Sequence, residues 1–364
     1  MKRHENWLKT LSLSLMAILF LLVLVACSGG SESSTLSPDN EDQTENTNEE
    51  STGSGELDEI EITVTHYPTG AYAVPYNVGI EQGIFEKHGI KITEIYGSGG
   101  GGTTVRNVLS GKLPFGDVST AAAIQAYLSG APIKIVGGAV QSLGDLVFVT
   151  RKDDNEINEV HDLIGNTWAY TNPGSVTETV SQLIFELMDI DPDSLNVVAS
   201  GGIGEGLTML QAGEVDTSIM LEPTYSVEKD NWKELFRVSE HIKRYQQTVI
   251  ITSPQLIEQN PDLVKRFLAA YQEAVDWVYE NPEEAAKIFA KSAEIDEEAS
   301  ISAVKDLVEA EHWNSKIDIE SMETTLRGME LVGTLSESTE IDWDEIFDMS
   351  LIDEAYKFEV EQLK

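Results

Sequence analysis

From residue 59 onward the apolar and polar positions alternate between two rhythms. Ile60-Glu61-Ile62-Thr63-Val64-Thr65 switches residue by residue, the period of a strand with one buried face. After a loop over 67–72, residues 75–88 read as a helix and 89–95 as the next strand. A glycine run follows, then a helix over 103–109, a short strand near Phe115 and a helix over 121–128. Strands over 133–136 and 146–150 complete this half. Strands that alternate with helices imply βαβ units and a largely parallel sheet.

The rhythm restarts after a charged gap, 151–154. It predicts strand 167–170, helix 175–188, strand 195–199, helix 204–212 and strand 217–221. Leu109-Ser110-Gly111-Lys112-Leu113 resembles Met209-Leu210-Gln211-Ala212-Gly213-Glu214-Val215. Each is a helix end, a glycine C-cap, a charged residue and an entry into a strand. The halves therefore look like two similarly built lobes. A strand over 247–252 would return the chain toward the first lobe. Helices over 261–280, 282–292, 297–310 and 319–332 fill the rest, with Pro261 and Pro282 where helices begin.

Ahead of this body the pattern is of another kind. Lys2, Arg3 and Lys9 introduce an apolar run from Leu11 to Ala26, which ends in Leu24-Val25-Ala26-Cys27. This reads as a signal peptide, 1–26, closing on a lipobox. The small residues admit a peptidase, and the thiol of Cys27, the sole cysteine of the chain, would take a diacylglycerol. The mature protein would then sit outside the cytoplasm, anchored to the outer face of the cell membrane. An uncleaved span would need about 20 apolar residues, more than the run supplies. Residues 27–57 lack aromatic side chains and are almost free of apolar ones, so they read as a disordered acidic tether.

The whole chain has 364 residues and a net charge of −39. The body alone suits two medium domains or one large one. Phosphate backbones need a basic footprint, so no nucleic-acid partner is expected. A basic ligand is one explanation of the charge, but the acid is spread along the chain, which points rather to adaptation to high salt or high external pH; self-repulsion keeps such a protein soluble and salt screens it. The six histidines stand apart in sequence, and neither H-x-x-x-H nor C-x-x-C occurs. No metal site, disulfide or cofactor is expected.

Thr65-His66-Tyr67-Pro68-Thr69-Gly70, followed by Gly79-Ile80-Glu81-Gln82-Gly83-Ile84-Phe85-Glu86-Lys87-His88-Gly89-Ile90, resembles the start of solute-binding proteins of the nitrate/sulfonate/taurine type, a group that includes thiamine-pyrimidine-precursor binders. Gly111-Lys112-Leu113-Pro114-Phe115-Gly116-Asp117 is similar to the family's G-x-(V/L)-D-(F/I)-(G/A), with Pro114 in place of the aspartate; Gly213-Glu214-Val215-Asp216 keeps it. Leu221-Glu222-Pro223 resembles the family's x-E-P turn, and Asp342-Trp343-Asp344-Glu345-Ile346-Phe347-Asp348 is also similar. The resemblance spans about residues 60 to 355. It implies a two-lobed α/β periplasmic-binding-protein-like fold with two crossover strands, the ligand in a cleft between the lobes. Lobe 1 would comprise 58–148 and 251–355, and lobe 2 149–250. The function implied is solute capture for an ABC importer, by a monomer working with a permease and its ATPase and doing no chemistry.

In such a fold ligands meet strand C-termini and helix N-termini. Three loops fit. In 67–72, Gly70 lets the backbone approach a ligand, while Tyr67, Thr69 and Tyr72 offer hydroxyls and flat faces; a plain turn is the alternative. Ser119 and Thr120 precede a helix, and Ser175 opens an S-x-x-E capping box with Thr177 beside it; capping alone would also explain them. Gln141 and Ser142 lie before the crossover strand. Glu222 and Tyr225 follow the last lobe-two strand, where Glu222 would bind an N–H-bearing group or hold the loop. Tyrosines and Glu222 together favour an organic solute over bare nitrate.

Gly97, Gly99 and Gly102 satisfy G-x-G-x-x-G after a strand, with Asp117 further on. A run of nearly pure glycine meets that spacing by composition, so a dinucleotide site is not expected. A sensory receptor or a pyrimidine-synthase-like enzyme could use the same fold. No nucleophile with a partner base is visible, and the lipobox and the lack of any cysteine or histidine cluster argue against the enzyme.

Overall fold

The computed structural model describes residues 56–336, 338–351 and 363. The signal segment 1–26, Cys27 and nearly all of the 27–57 tether lie outside them. The body opens with β1 (Asp58–Thr65), α1 (Ala73–Glu81), α2 (Ile84–Lys87), β2 (Ile90–Ser98), α3 (Gly101–Leu109), β3 (Gly116–Ser119), α4 (Thr120–Leu128) and β4 (Lys134–Val140). The second part runs β5 (Leu146–Arg151), β6 (Thr167–Tyr170), α5 (Val176–Leu187), β7 (Asn196–Ala199), α6 (Ile203–Ala212), β8 (Ser218–Leu221), α7 (Thr224–Glu228) and β9 (Trp232–Arg237). Then come β10 (Thr248–Thr252), α8 (Pro254–Gln259), α9 (Pro261–Glu280), α10 (Pro282–Ala293), α11 (Glu297–Glu309), α12 (Ile319–Leu331) and α13 (Trp343–Ile346).

The expected helix over 75–88 is two helices. Gly83, at φ +65°, stops the first and starts the second. Its left-handed backbone costs glycine nothing and other residues about 1 kcal/mol or more. The predicted glycine C-caps are in place, Gly111 at φ +75° and Gly213 at φ +72°. Four short elements escape the sequence pattern. The charged strand β9 is at a sheet edge and so lacks a continuous apolar run, and α7, α8 and α13 are too short for a helical period to emerge.

The first sheet has the order β2-β1-β3-β10-β4. The second has β8-β5-β9, and a bridge from Trp168 to Thr217 continues it through β6 to β7. The two orders are copies of each other. In each, the strand that arrives from the other lobe, β10 or β5, is antiparallel to both neighbours. The remaining strands run one way, so the largely parallel expectation holds apart from the crossing strand. That strand comes from the opposite direction and is reversed for that reason. The limits expected at 148/149 and 250/251 fall inside β5 and β10. Strand pairing keeps β5 whole in the second sheet and β10 whole in the first, so the chain changes lobe at 141–145 and again at 241–247.

Both faces of each sheet are covered. In the first lobe, α1, α9 and α10 cover one face, where Phe115 stacks on Phe267 at 3.9 Å. Helix α4 and the C-terminal α12 and α13 cover the other. In the second, Phe148, Trp168, Phe185 and Phe236 form an aromatic core. Helix α12 also reaches the second lobe, where Gly328 lies against Thr179 and Leu183 of α5 and Arg327 pairs with Glu186. A side chain at 328 would meet Thr179 Cβ at 3.0 Å, so glycine sets how closely α12 and α5 approach.

Truncating Phe267 removes a ring that is 1% exposed and stacked on Phe115. Phe267→Ala should cost about 3–5 kcal/mol, read as a lower urea midpoint with an unchanged slope.

Candidate functional site

Between the lobes lies a cavity of about 770 Å³. Several of its walls are the starts of helices. Helix α3 enters through Gly99–Thr103, α4 through Ser119, α5 through 172–177, and α6 through Gly201 and Ile203. Ser119 Oγ accepts from the amide of Ala122 and Ser175 Oγ from that of Glu178, so those two ends are capped. The starts of α3 and α6 carry no side-chain cap. Their free N–H groups and the aligned helix dipoles favour an oxygen-rich or anionic group in the cleft.

The glycine run owes its composition to packing. A Cβ on Gly97 would lie 2.2 Å from the carbonyl of Tyr67, and one on Gly101 would lie 2.6 Å from Ala122 Cβ. Gly99 and Gly100 have open space around them and present backbone to the cavity.

Four of the expected residues line the cavity: Tyr72, Ser119, Ser175 and Thr177. The others surround it without lining it. Gly70 donates its amide to the carbonyl of His66 at 2.8 Å, which closes the turn. Tyr67 packs on the core and Thr69 is exposed. Thr120 is fully buried and its hydroxyl has no protein partner. Gln141 donates to the carbonyl of Glu311 and accepts from Asn314, while Ser142 bonds His312 Nδ1 at 2.9 Å; both serve the framework of the crossing. Glu222, fully buried, accepts from Arg237 at 2.9 Å and from the Ser226 amide at 3.1 Å. Arg237 lies over the ring of Tyr225, 5.2 Å from its centre. Glu222 and Tyr225 thus form a brace with Arg237, which stands 15 residues beyond Glu222 in the chain.

The structure adds His66, Arg106, Gln125, Gln247 and Thr248 to the lining. Burial pushes the His66 imidazole down to about 4, so it is neutral at physiological pH. Arg106 is the one charged group on the lining, and no carboxylate lies there among the described residues. Its Nη2 donates to Thr103 Oγ1 at 2.8 Å. Gly174 brings the second-lobe loop against Gln125 of α4, since a Cβ there would lie 2.7 Å from Gln125 Oε1.

Two carboxyls lie buried near the floor. Asp117, 1% exposed, accepts from the Tyr76 hydroxyl at 3.1 Å and is faced by that of Thr248. Asp145, fully buried, accepts from Gln247 Nε2 at 3.1 Å. Burial raises both to about 7.

A two-lobed α/β body around a cleft of helix starts is the periplasmic-binding-protein fold, the architecture of solute-binding proteins. The chain belongs to the NMT1/THI5-like family, whose model matches residues 71–285. It is 23% identical over 273 residues to the formylaminopyrimidine-binding protein of Halalkalibacterium halodurans, covering 73% of this chain and 78% of that one. Among solved structures it resembles the periplasmic aliphatic sulphonate binding protein SsuA of Escherichia coli, with TM-score 0.61 and 15% identity over 76% of this chain and 86% of the other. It also resembles the periplasmic nitrate-binding protein NrtA of Synechocystis PCC 6803, with TM-score 0.59 and 16% identity over 69% and 70% of the two chains.

An unfolded aspartate titrates near about 4. Between pH 4 and the folded value of about 7, the folded chain holds protons at Asp117 and Asp145 that the unfolded chain has lost. Their contribution is therefore most favourable at the acid end, declines as pH rises through that window and is flat above it. Asp117→Asn should melt several degrees higher than the parent at pH 8, and calorimetry should show the gap closing toward pH 5.

Proposed function

We propose that this chain is the extracytoplasmic capture component of an ABC importer, held to the outer face of the membrane by lipid on Cys27 and delivering a small organic solute to a cognate permease and its ATPase. The observation that carries this is the cleft between the lobes, into which helices of both direct their N-termini. Lobe 1 comprises 58–140 together with β10 and the helices after it, and lobe 2 runs from β5 to β9. They close by bending at 141–145 and 241–247, a hinge motion that contacts to ligand would stabilise. The protein acts as a monomer and performs no chemistry; the one histidine on the described lining is neutral and has no nucleophile bonded to it.

The relatives named above bind a formylaminopyrimidine, aliphatic sulphonates and nitrate. A cavity of about 770 Å³ is far larger than nitrate or bicarbonate needs, which favours an organic solute of the sulfonate/taurine or thiamine-pyrimidine-precursor kind. Arg106 and the open helix starts would hold its oxygen-rich end.

A thermal-shift screen of sulfonates, taurine, nitrate, bicarbonate and pyrimidines tests the reading. A solute at 100 times its Kd adds about 2.7 kcal/mol, and a strong shift from an organic member is the expected result. A flat response across the panel, in a protein that melts cooperatively, would count against it. Arg106→Ala should weaken an anionic hit about tenfold or more by titration calorimetry while leaving the unliganded melting point unchanged.

A further inference from the structure

Helix α12 is built into the first lobe and pressed against the second. Met322 and Met329 pack in the core that Val118, Ile124, Ile135 and Val249 form in the first lobe. Another side of α12 meets α5, whose Val180, Leu183 and Ile184 belong to the core of the second lobe. The contact is close because residue 328 has no side chain. A Cβ there would stand 3.0 Å from Thr179 Cβ and 3.2 Å from Leu183 Cδ1. Glycine inside a helix weakens it relative to alanine, so this close approach comes with a weaker α12. The Arg327–Glu186 pair at the rim is half exposed, and such pairs contribute little once salt screens them. Packing at 328 therefore sets the spacing of the two helices.

Helix α5 meets three neighbours in order along its length. Its first turn lines the cleft, and the loop before it places Gly174 against Gln125 of α4. Next, Thr179 Oγ1 and the hydroxyl of Tyr245, in the second crossing, are hydrogen-bonded at 2.6 Å. Beyond the crossing, Leu183, Glu186 and Leu187 line a second cavity of about 410 Å³, bounded otherwise by 241–244 and α12. The crossing is itself fixed to α12. The Gln246 amide donates to the carbonyl of Ser321 at 2.9 Å, and the Thr325 hydroxyl to the carbonyl of Gln246 at 3.1 Å. Helix α5 thus bears on the crossing at Thr179, with the cleft in front and the rear cavity behind.

We propose that the α12–α5 contact at Gly328 and the cavity beside it form a control face for the cleft, where added bulk drives α5 off α12 and swings Gly174 toward α4, closing the lobes. This rests on the hinge motion of the solute-binding reading. A rigid helix held near its middle moves its two ends in opposite senses. Leu183 and Phe185 are packed in the second lobe, so that lobe turns with the helix. Close-packed interiors transmit a displacement of a few tenths of an ångström and do not absorb it. Affinity follows closure, because a solute binds more tightly as the closed fraction rises.

The test uses the full chain with Cys27→Ser, which removes its sole cysteine. Spin labels are placed at Ser110→Cys on the first lobe and Glu205→Cys on the second, both exposed. Pulsed electron resonance reads their separation in the parent, in Gly328→Ala and in Thr324→Trp, whose new side chain fills the rear cavity from its wall. Each is measured alone and with sulfonates, taurine, nitrate, bicarbonate and pyrimidines in turn. Both variants should shorten the separation without solute and bind any responding solute about threefold or more tightly. Glu330→Trp, exposed on α12 and off that cavity, should leave the separation unchanged. Gly328→Ala adds a good helix former, so it should melt no lower than the parent and secures the test if Thr324→Trp folds poorly. Should a solute shorten the separation in the parent while the variants leave it unchanged or lengthen it, the inference is overturned and the hinge reading stands. Weaker binding by both variants would overturn it as well. If neither solute nor variant moves the labels, both readings fall.

Discussion

The body depends on how its two crossings are fastened to each other. Chain that passes between two sheets exposes backbone and polar side chains that neither sheet satisfies, and buried groups of that kind are costly unless paired. Here they pair across the crossings. The Gln247 amide donates to the carbonyl of Val140 at 2.8 Å, that of Tyr245 to Gln141 at 3.2 Å, and Gln247 Nε2 to Asp145. The C-terminal segment supplies the rest, through the carbonyls of Glu311 and His312 and the amide of Asn314. Gln247, which makes two of these bonds, also lines the cleft. Framework and site share residues, which is why Gln141 and Ser142 stand so near the cavity without lining it.

Much of the scaffold was readable from the chain. Alternation marked most strands, glycine C-caps marked where helices stop, and S-x-x-E marked the start of α5. Such features are local and leave a signature within a few residues. Sheet order is not local. Nothing within 247–252 says that this strand inserts between β3 and β4, and nothing in the charged 232–237 segment announces an edge strand. The site divides along the same line. Ser119, Ser175 and Thr177 were found because helix starts are legible. Gln247, Thr248 and Arg106 were not, because they reach the cleft only through tertiary placement. Glu222 looked free for a ligand because its partner, Arg237, comes from β9, on the far side of β5 in the sheet.

The electrostatics of the cleft run against the composition. In a chain of net charge −39, the described lining has one cation and no carboxylate. Two carboxyls are held one layer back, at Asp117 and Asp145, where desolvation raises their titration to about 7. The surface charge therefore bears on solubility and salt response, and under the proposed function recognition would rest on a few dipoles and hydroxyls in the cleft.

The position of β10 also sets an order of assembly. It lies between β3 and β4, although some hundred residues separate it from either in the chain. As the polypeptide emerges N-terminus first, β1 to β4 are made early but cannot join into one sheet, because the strand that belongs between them does not yet exist. The second lobe runs continuously from β5 to β9 and has all its strands before β10 appears. The part of the protein that starts first is thus the last to close, and its open edges must stay soluble until the chain comes back.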